Sequence, residues 1–319
     1  LTVLLFPFSF IYKTIALLDW YIKNRRRHTF PNLFVISIDN LTFGGSGKTS
    51  LVCYIASFLS EKQIPFAIVS RGYKSTVSKG HLAVTQNDKV KAVGDEAYML
   101  KSLFPQSTII IGPDRLTALK ELNLGPAHVV ILDDGFQSAH IQKDFSILLD
   151  TPHKPFYYYR NFRFMAKKTD LRLRFQSGEN TFSTHPPALP SYRFLHTGLK
   201  NVKHEPVFVG SNPIIAFSAL GDNQRFYQDL KKHYYIEDFF SFPDHHFFTP
   251  SDIDTIKKAI RKTQSSYCVC TLKDFVKLPR EVQLDTTFIY AVNGIQLNFD
   301  LLSHLMVVEK FREHTATSP

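Results

Sequence analysis

The stretch "LFVISIDNLTFGGSGKTS", residues 33–50, decides how the rest of the chain is read. An apolar run rich in β-branched residues leads into a glycine-rich loop, and "KTSLVCYIASFL" then carries a helical pattern. Strand, glycine loop and helix start in that order aim several backbone N–H groups at one place, which suits a phosphate. Gly44, Gly45, Ser46 and Gly47 form the loop. Lys48 is placed to reach the β- and γ-phosphates of ATP and Thr49 to hold Mg²⁺, with Ser50 beside them. The usual pattern expects a glycine where Thr42 stands, so Gly44 and Gly45 supply the turn instead. Phe43 occupies the position at which ATP-driven partition proteins carry a lysine, which argues against that class.

Outward from the loop, the short apolar runs "PFAIVS", "STIIIG", "HVVILDD" and "FSILLD" are separated in several places by helix-like segments such as "DEAYMLKSL" and "RLTALKEL". Such alternation reads as an α/β fold with a parallel sheet. Residues 151–208 are aromatic, basic and proline-bearing, and read as a linker region with a β-hairpin. The α/β rhythm resumes at "PIIAFSAL" and continues through "YCVCTL" and "TFIYAV". The expected architecture is an N-terminal helix within 1–30, a P-loop NTPase-like parallel-sheet domain over 31–200, and a second, smaller α/β domain over 201–319.

Of the 319 residues, 44% are apolar and 21% charged, which excludes a disordered chain. Lys and Arg number 38 against 28 Asp and Glu, a balance of +10 that favours an anionic partner: nucleic acid, nucleotide or an anionic lipid surface. Cys268 and Cys270 alternate in "SSYCVCTL" and so share one face of a strand, as in a reduced core strand rather than a metal or disulfide site. Residues 1–22 are apolar and aromatic, but the uncharged run before Lys13 is too short to span a membrane. Its positive charges follow the apolar stretch, where a secretory signal would carry them first. With Lys23, Arg25, Arg26 and Arg27 behind it, the segment reads as an interfacial helix on anionic head groups. The alternative is a helix packed on the protein's own core.

Two acidic clusters and a histidine pair complete the candidates. "HVVILDD" ends a buried strand on Asp133 and Asp134, whose side chains leave opposite faces. One of them approaches Mg²⁺ or its water, and the other orients the loop or a basic partner. "VGDEAYML" puts Asp95 and Glu96 at a helix start, as a base for a substrate hydroxyl or as cap and dipole partner. "FPDHHFFTP" sets Asp244, His245 and His246 in a loop after a strand, where a carboxylate can tune an imidazole.

The motifs "VISIDNLTFGGSGKTSL", "VSRGYK", "GDEAYML", "PDR", "ILDDGFQ", "FPDHH" and "TLKDFVKL" follow one another in the order seen in the tetraacyldisaccharide 4'-kinases of lipid A synthesis. The chain resembles that family over nearly its whole length, and "LLFPFSFIYKTI" looks like the family's membrane-associating helix. The resemblance implies transfer of the ATP γ-phosphate to the 4'-hydroxyl of tetraacyldisaccharide 1-phosphate, a lipid acceptor. It further implies a peripheral protein at the cytoplasmic face of a bacterial inner membrane, with no nucleic-acid partner. Residue by residue, it makes Asp95 the base and His245 its partner. Lys48 and Thr49 hold phosphates and metal, and Asp133 and Asp134 belong to the acidic strand end. Arg71, Tyr73, Arg115 and Gln137 fall where the family meets the sugar and phosphate head group.

One departure stands out. After its "DDGFQ"-type motif the family carries a "LPAGPLRE"-like stretch whose Arg and Glu serve substrate and metal. This chain has "KPFYYYRNFRFMAKKTDLRLRF" instead, with Arg160 and Arg163 but no Glu. The alternative reading is therefore a membrane-bound descendant that binds nucleotide or lipid with impaired catalysis.

Overall fold

A computed structural model describes residues 18, 20–41, 47–121, 129–150, 169–176, 189–306, 308 and 310–311. The expected strand after the first apolar run is β1 (Phe34–Asn40), and all seven of its residues are buried. Alternate side chains serve opposite faces. Phe34, Ile36 and Ile38 join one core cluster, and Val35 joins another on the reverse side with Val69, Val130 and Leu132. A strand buried on both faces belongs in the middle of a covered parallel sheet. Accordingly β1 pairs in parallel with β5 (Val129–Asp133) on one side and β6 (Phe145–Asp150) on the other. Helix α1 (Lys48–Glu61) lies on the first face, burying Leu51, Val52, Ile55, Ala56 and Leu59 along one stripe.

Beyond β5 the sheet continues through β2 (Phe66–Ser70) and β4 (Thr108–Ile111) to the short antiparallel edge β3 (Leu82–Val84). The other direction corrects the sequence reading, which expected a linker region with a β-hairpin. Residues 171–175 and 191–200, placed there in an irregular connecting segment, are strands β7 (Leu171–Phe175) and β8 (Ser191–Lys200) of the sheet itself. β7 runs parallel to β6, and β8 parallel to β7. After the two-residue β9 (Pro206–Val207), a second group of strands follows: β10 (Ile214–Ser218), β11 (Ile236–Ser241), β12 (Tyr267–Thr271) and β13 (Phe288–Leu297). Parallel neighbours run in the order β11, β10, β12, β13, and β13 joins β8 by an antiparallel ladder. Among the described residues, thirteen strands thus form one sheet, with parallel groups on either side of the β8–β13 ladder. Cys268 and Cys270 face the same core cluster, as their alternation predicts, and both are free thiols.

At the N-terminus, residues 20–25 are helical and exposed Leu18, Tyr21 and Ile22 precede the basic cluster. The rest of the expected interfacial helix, residues 1–17, lies outside the described residues. Among those described, no helix is long and apolar enough to cross a membrane. The chain after this helix is tied to the sheet by His28, whose N–H donates to His140 O at 2.8 Å.

Candidate active site

Functional side chains gather where strands of the first parallel group end, as open α/β sheets dictate. Gly47 precedes α1 with φ 85°. A Cβ there would stand 2.7 Å from the Phe194 ring of β8, so backbone conformation and space both require glycine. Gly44, Gly45 and Ser46 lie outside the described residues. Thr49 and Ser50 sit half-buried in the first turn of α1. Lys48 turns back across the strand ends. Its Nζ donates to Asn40 Oδ1 at 3.1 Å and pairs with Asp134 Oδ1 at 2.9 Å.

The acidic pair divides its labour. Asp133 ends β5, while Asp134 adopts the left-handed conformation at φ 60° and swings toward Lys48. The Oδ1 of Asp133 is buried and accepts no hydrogen bond among the described residues. Burial pushes the Asp133 carboxyl up and the charge of Asp134 adds to that, with Lys48 pulling the other way. A cation would relieve both strains, so the donor set fits Mg²⁺. No group of three or more His, Cys, Asp or Glu forms a metal cage among the described residues. Mg²⁺ does not require one, since it keeps waters and phosphate oxygens in its shell.

Arg115, expected at the head group, is instead buried beneath this turn. Its Nη1 donates to the carbonyls of Asp133 at 2.9 Å and Asp134 at 2.6 Å. Gln137 ends the short 3-10 turn Gly135–Gln137 and accepts from exposed Arg71 at 3.4 Å. Tyr73 is exposed, with its ring centroid 5.4 Å from that of His245. Arg71, Tyr73 and Gln137 are therefore assembled on the open side of the site, and Arg115 is not.

A residue that the sequence reading missed holds the turn from below. Asp39, fully buried, accepts from the Ser37 hydroxyl, and its Oδ1 accepts the Phe136 N–H at 2.7 Å. Two successive polar residues, Asp39 and Asn40, at the end of the strand, with Ser37 two positions earlier, were the available signal. Burial pushes the Asp39 carboxyl up to about 6, against the hydrogen bonds from Ser37 and Phe136. A folded-state value above the unfolded one means stability is lost as pH rises from near 3.8 through about 6. Asp39→Asn keeps both hydrogen-bond partners without the charge. At pH 7.5 the variant is expected to be more stable in urea unfolding by up to about 3 kcal/mol, with the gain vanishing below about pH 4. A constant difference across that range would contradict a buried charge at Asp39.

Helix α2 (Val90–Val93) ends at Gly94, and Asp95 opens α3 (Asp95–Leu103). Gly94 has φ 88°, and a Cβ on it would meet the Tyr73 carbonyl at 2.9 Å. The chain can therefore turn here only as glycine, which seats Asp95 against the opposite group of strands. His245 comes from the loop after β11 with φ 61°, and its Nδ1 lies 2.7 Å from Asp95 Oδ2. Asp95 Oδ1 accepts from its neighbour Glu96 N–H at 2.9 Å. Burial raises the Asp95 carboxyl, but the hydrogen bond from His245 and the charges of Lys273, His245 and Lys277 outweigh it, and the net direction is down. Its neighbour His246 does a different job, pairing at 2.9 Å with Asp252 in the capping box of the following helix. The charge of Glu96, beside the dyad, adds to the upward push on the Asp133 carboxyl. The "KPFYYYRNFRF" stretch, with Arg160 and Arg163, lies outside the described residues.

A glycine-capped helix start, a lysine among strand-end carboxylates and a carboxylate–imidazole pair opposite them define a nucleotide-using phosphotransferase class of site. The family of tetraacyldisaccharide-1-P 4'-kinases matches residues 1–161 and 166–308, and the chain belongs to it. Among its relatives, the tetraacyldisaccharide 4'-kinase of Aquifex aeolicus is 35% identical over 310 residues, covering 88% of this chain and 96% of the relative. That of Bartonella henselae is 26% identical over 332 residues, covering 96% of each chain. The crystal structure of LpxK from Aquifex aeolicus in complex with ATP superposes with a TM-score of 0.75 at 28% identity. It spans 96% of this chain and 98% of its own.

Proposed function

We propose that this chain is a tetraacyldisaccharide 4'-kinase of lipid A biosynthesis, moving the γ-phosphate of ATP to the 4'-hydroxyl of tetraacyldisaccharide 1-phosphate. The observation that carries the reading is the 2.7 Å contact between Asp95 and His245, groups supplied by opposite ends of the sheet. Membership of the kinase family and the likeness to an ATP complex support it.

In this reading Lys48 leaves Asp134 for the β- and γ-phosphates, which the Gly44–Ser50 loop cradles with backbone N–H groups. Thr49, Asp133 and Asp134 would hold Mg²⁺, which neutralises charge on the phosphate oxygens when bound. Arg71, Tyr73 and Gln137 meet the anionic head group, and Arg115 steadies the acidic turn from beneath. Asp95 is held ionised and accepts the proton of the 4'-hydroxyl. A loose transition state needs that proton late, so a modest base suffices if it is well placed. His245 donates from Nδ1 and fixes which way the carboxylate faces.

The proposal extends to the membrane. Exposed Leu18, Tyr21 and Ile22 beside Lys23, Arg25, Arg26 and Arg27 suit an anionic bilayer surface. We assign residues 1–30 to that contact, 31–200 to the kinase unit and 201–319 to the unit that supplies His245, at the cytoplasmic face of an inner membrane. The test is incubation with ATP, Mg²⁺ and tetraacyldisaccharide 1-phosphate in mixed micelles. A product carrying a second phosphate is expected by mass spectrometry, and nucleotide consumption without it would sink the assignment.

A further inference from the structure

The motif "TLKDFVKL" has no role in the chemistry described so far, yet it touches the base. β12 ends at Thr271, and a single-turn helix (Leu272–Phe275) carries the chain away from it, on the far side of the sheet order from Asp95. The Nζ of Lys273 lies 3.9 Å from Asp95 Oδ2 and 3.4 Å from Glu96 Oε1. The Nζ of Lys277 lies 4.0 Å from the same Asp95 oxygen. It also sits 2.8 Å from Asp274 Oδ1, and both of these side chains are fully buried. We propose that Lys273 and Lys277 are positioning residues of the phosphoryl transfer: their two ammonium groups, delivered across the sheet, anchor the Asp95 carboxylate in its charged form against His245.

The physical case rests on what Lys277 costs. Its ammonium is buried, paired with Asp274 at 2.8 Å and facing Asp95 at 4.0 Å and the Phe248 ring at 5.4 Å. A buried ion pair is frequently no better for folding than apolar side chains of similar volume. Its charge is therefore better explained by the carboxylate that it faces than by packing. Asp274 is already occupied by the Thr271 hydroxyl at 2.7 Å and the Ala219 N–H at 3.2 Å, both at Oδ2. That leaves the Lys277 charge shared between Asp274 Oδ1 and Asp95. Lys273 completes the arrangement from a less buried position and bridges both acids of the "GDE" turn. Among the described residues, the charged groups around Asp95 are Glu96 on its own helix, His245 and Asp244 on the loop after β11, and Lys273, Asp274 and Lys277 on the motif. The cations lower the Asp95 carboxyl, so the dyad is ready before the acceptor arrives.

This inference rests on the proposed role of Asp95, and its test separates the two. The full chain is compared with Lys273→Gln, Lys273→Arg and the double variant Asp274→Asn/Lys277→Met. The double variant removes both buried charges together, so that neither is stranded. The Asp95 carboxyl is followed by ¹³C NMR of aspartate-labelled protein, assigned by difference from Asp95→Asn, beside the pH profile of kcat/KM. Removing a cation makes the carboxyl harder to ionise. In Lys273→Gln and in the double variant the Asp95 titration and the acid limb of kcat/KM are therefore expected to move to higher pH, by about one pH unit. Turnover should recover toward alkaline pH, and Lys273→Arg should restore the wild-type profile. An unmoved Asp95 titration in folded variants overturns the proposal. So does a loss of kcat that is equal at every pH. If Asp95→Asn itself retains turnover, the base assignment falls, while the titration still decides whether the lysines hold the carboxylate.

Discussion

Asp95→Asn lowers kcat by about 10²-fold or more and leaves ATP affinity nearly intact, because the amide keeps the shape of the carboxylate and loses its basicity. Asn is preferred to Ala here since Asp95 is 4% exposed and faces Lys277, and deletion would leave a buried cation without its partner. His245→Ala lowers kcat as well. With the two side chains 2.7 Å apart and each holding the other's orientation, the double variant is expected to be little worse than the poorer single one. Single-turnover phosphorylation of the lipid acceptor measures all three. Independent, multiplying losses would mean that the two residues do separate jobs, and the dyad would have to be abandoned.

Lys48→Ala is the second large effect. In the structure the ammonium group spans Asn40 and Asp134, and it also restrains the Asp133 carboxyl, which burial and Asp134 drive upward. Removing it takes a charge from the phosphates and leaves the two acids facing each other unscreened. Loss of turnover by at least about 10²-fold at saturating ATP is expected, with native circular dichroism, because the lysine lies at the rim of the sheet rather than in its core. Near wild-type turnover would remove the phosphate-loop assignment.

What could be read in advance follows from where the chain is buried. β1 opens on an apolar run and is followed by a glycine loop, so its place inside a parallel sheet is legible in residues 33–50. β8, "SYRFLHTGLK", mixes polar, aromatic and small residues. It lies between the two parallel groups and is only partly buried, so it presents no clean period and was taken for a connection. Local patterns offer Asp95 and His245 singly and only the family resemblance pairs them, because their meeting is a property of the whole sheet. Arg115 shows the limit most plainly. An arginine beside an acidic motif suggests anion recognition, while its real partners, the carbonyls of Asp133 and Asp134, carry no side-chain signature. Asp39 was passed over for a related reason, since its main partner is the backbone amide of Phe136.

The two members of the dyad are 150 positions apart in the chain, and proteins are made from the N-terminus onward. By the time residue 150 has left the ribosome, the phosphate loop, Lys48, the acidic turn and Asp95 have all been synthesised. His245, Lys273 and Lys277 emerge only afterwards, and β13, which ties their strands to β8, comes later still. The helix behind the phosphate loop shares its core with Tyr192, Ile295, Leu301, Leu305 and Phe311, so the cradle for nucleotide is also completed only by residues made late. On the proposed roles, cradle and base are finished together, near the end of synthesis.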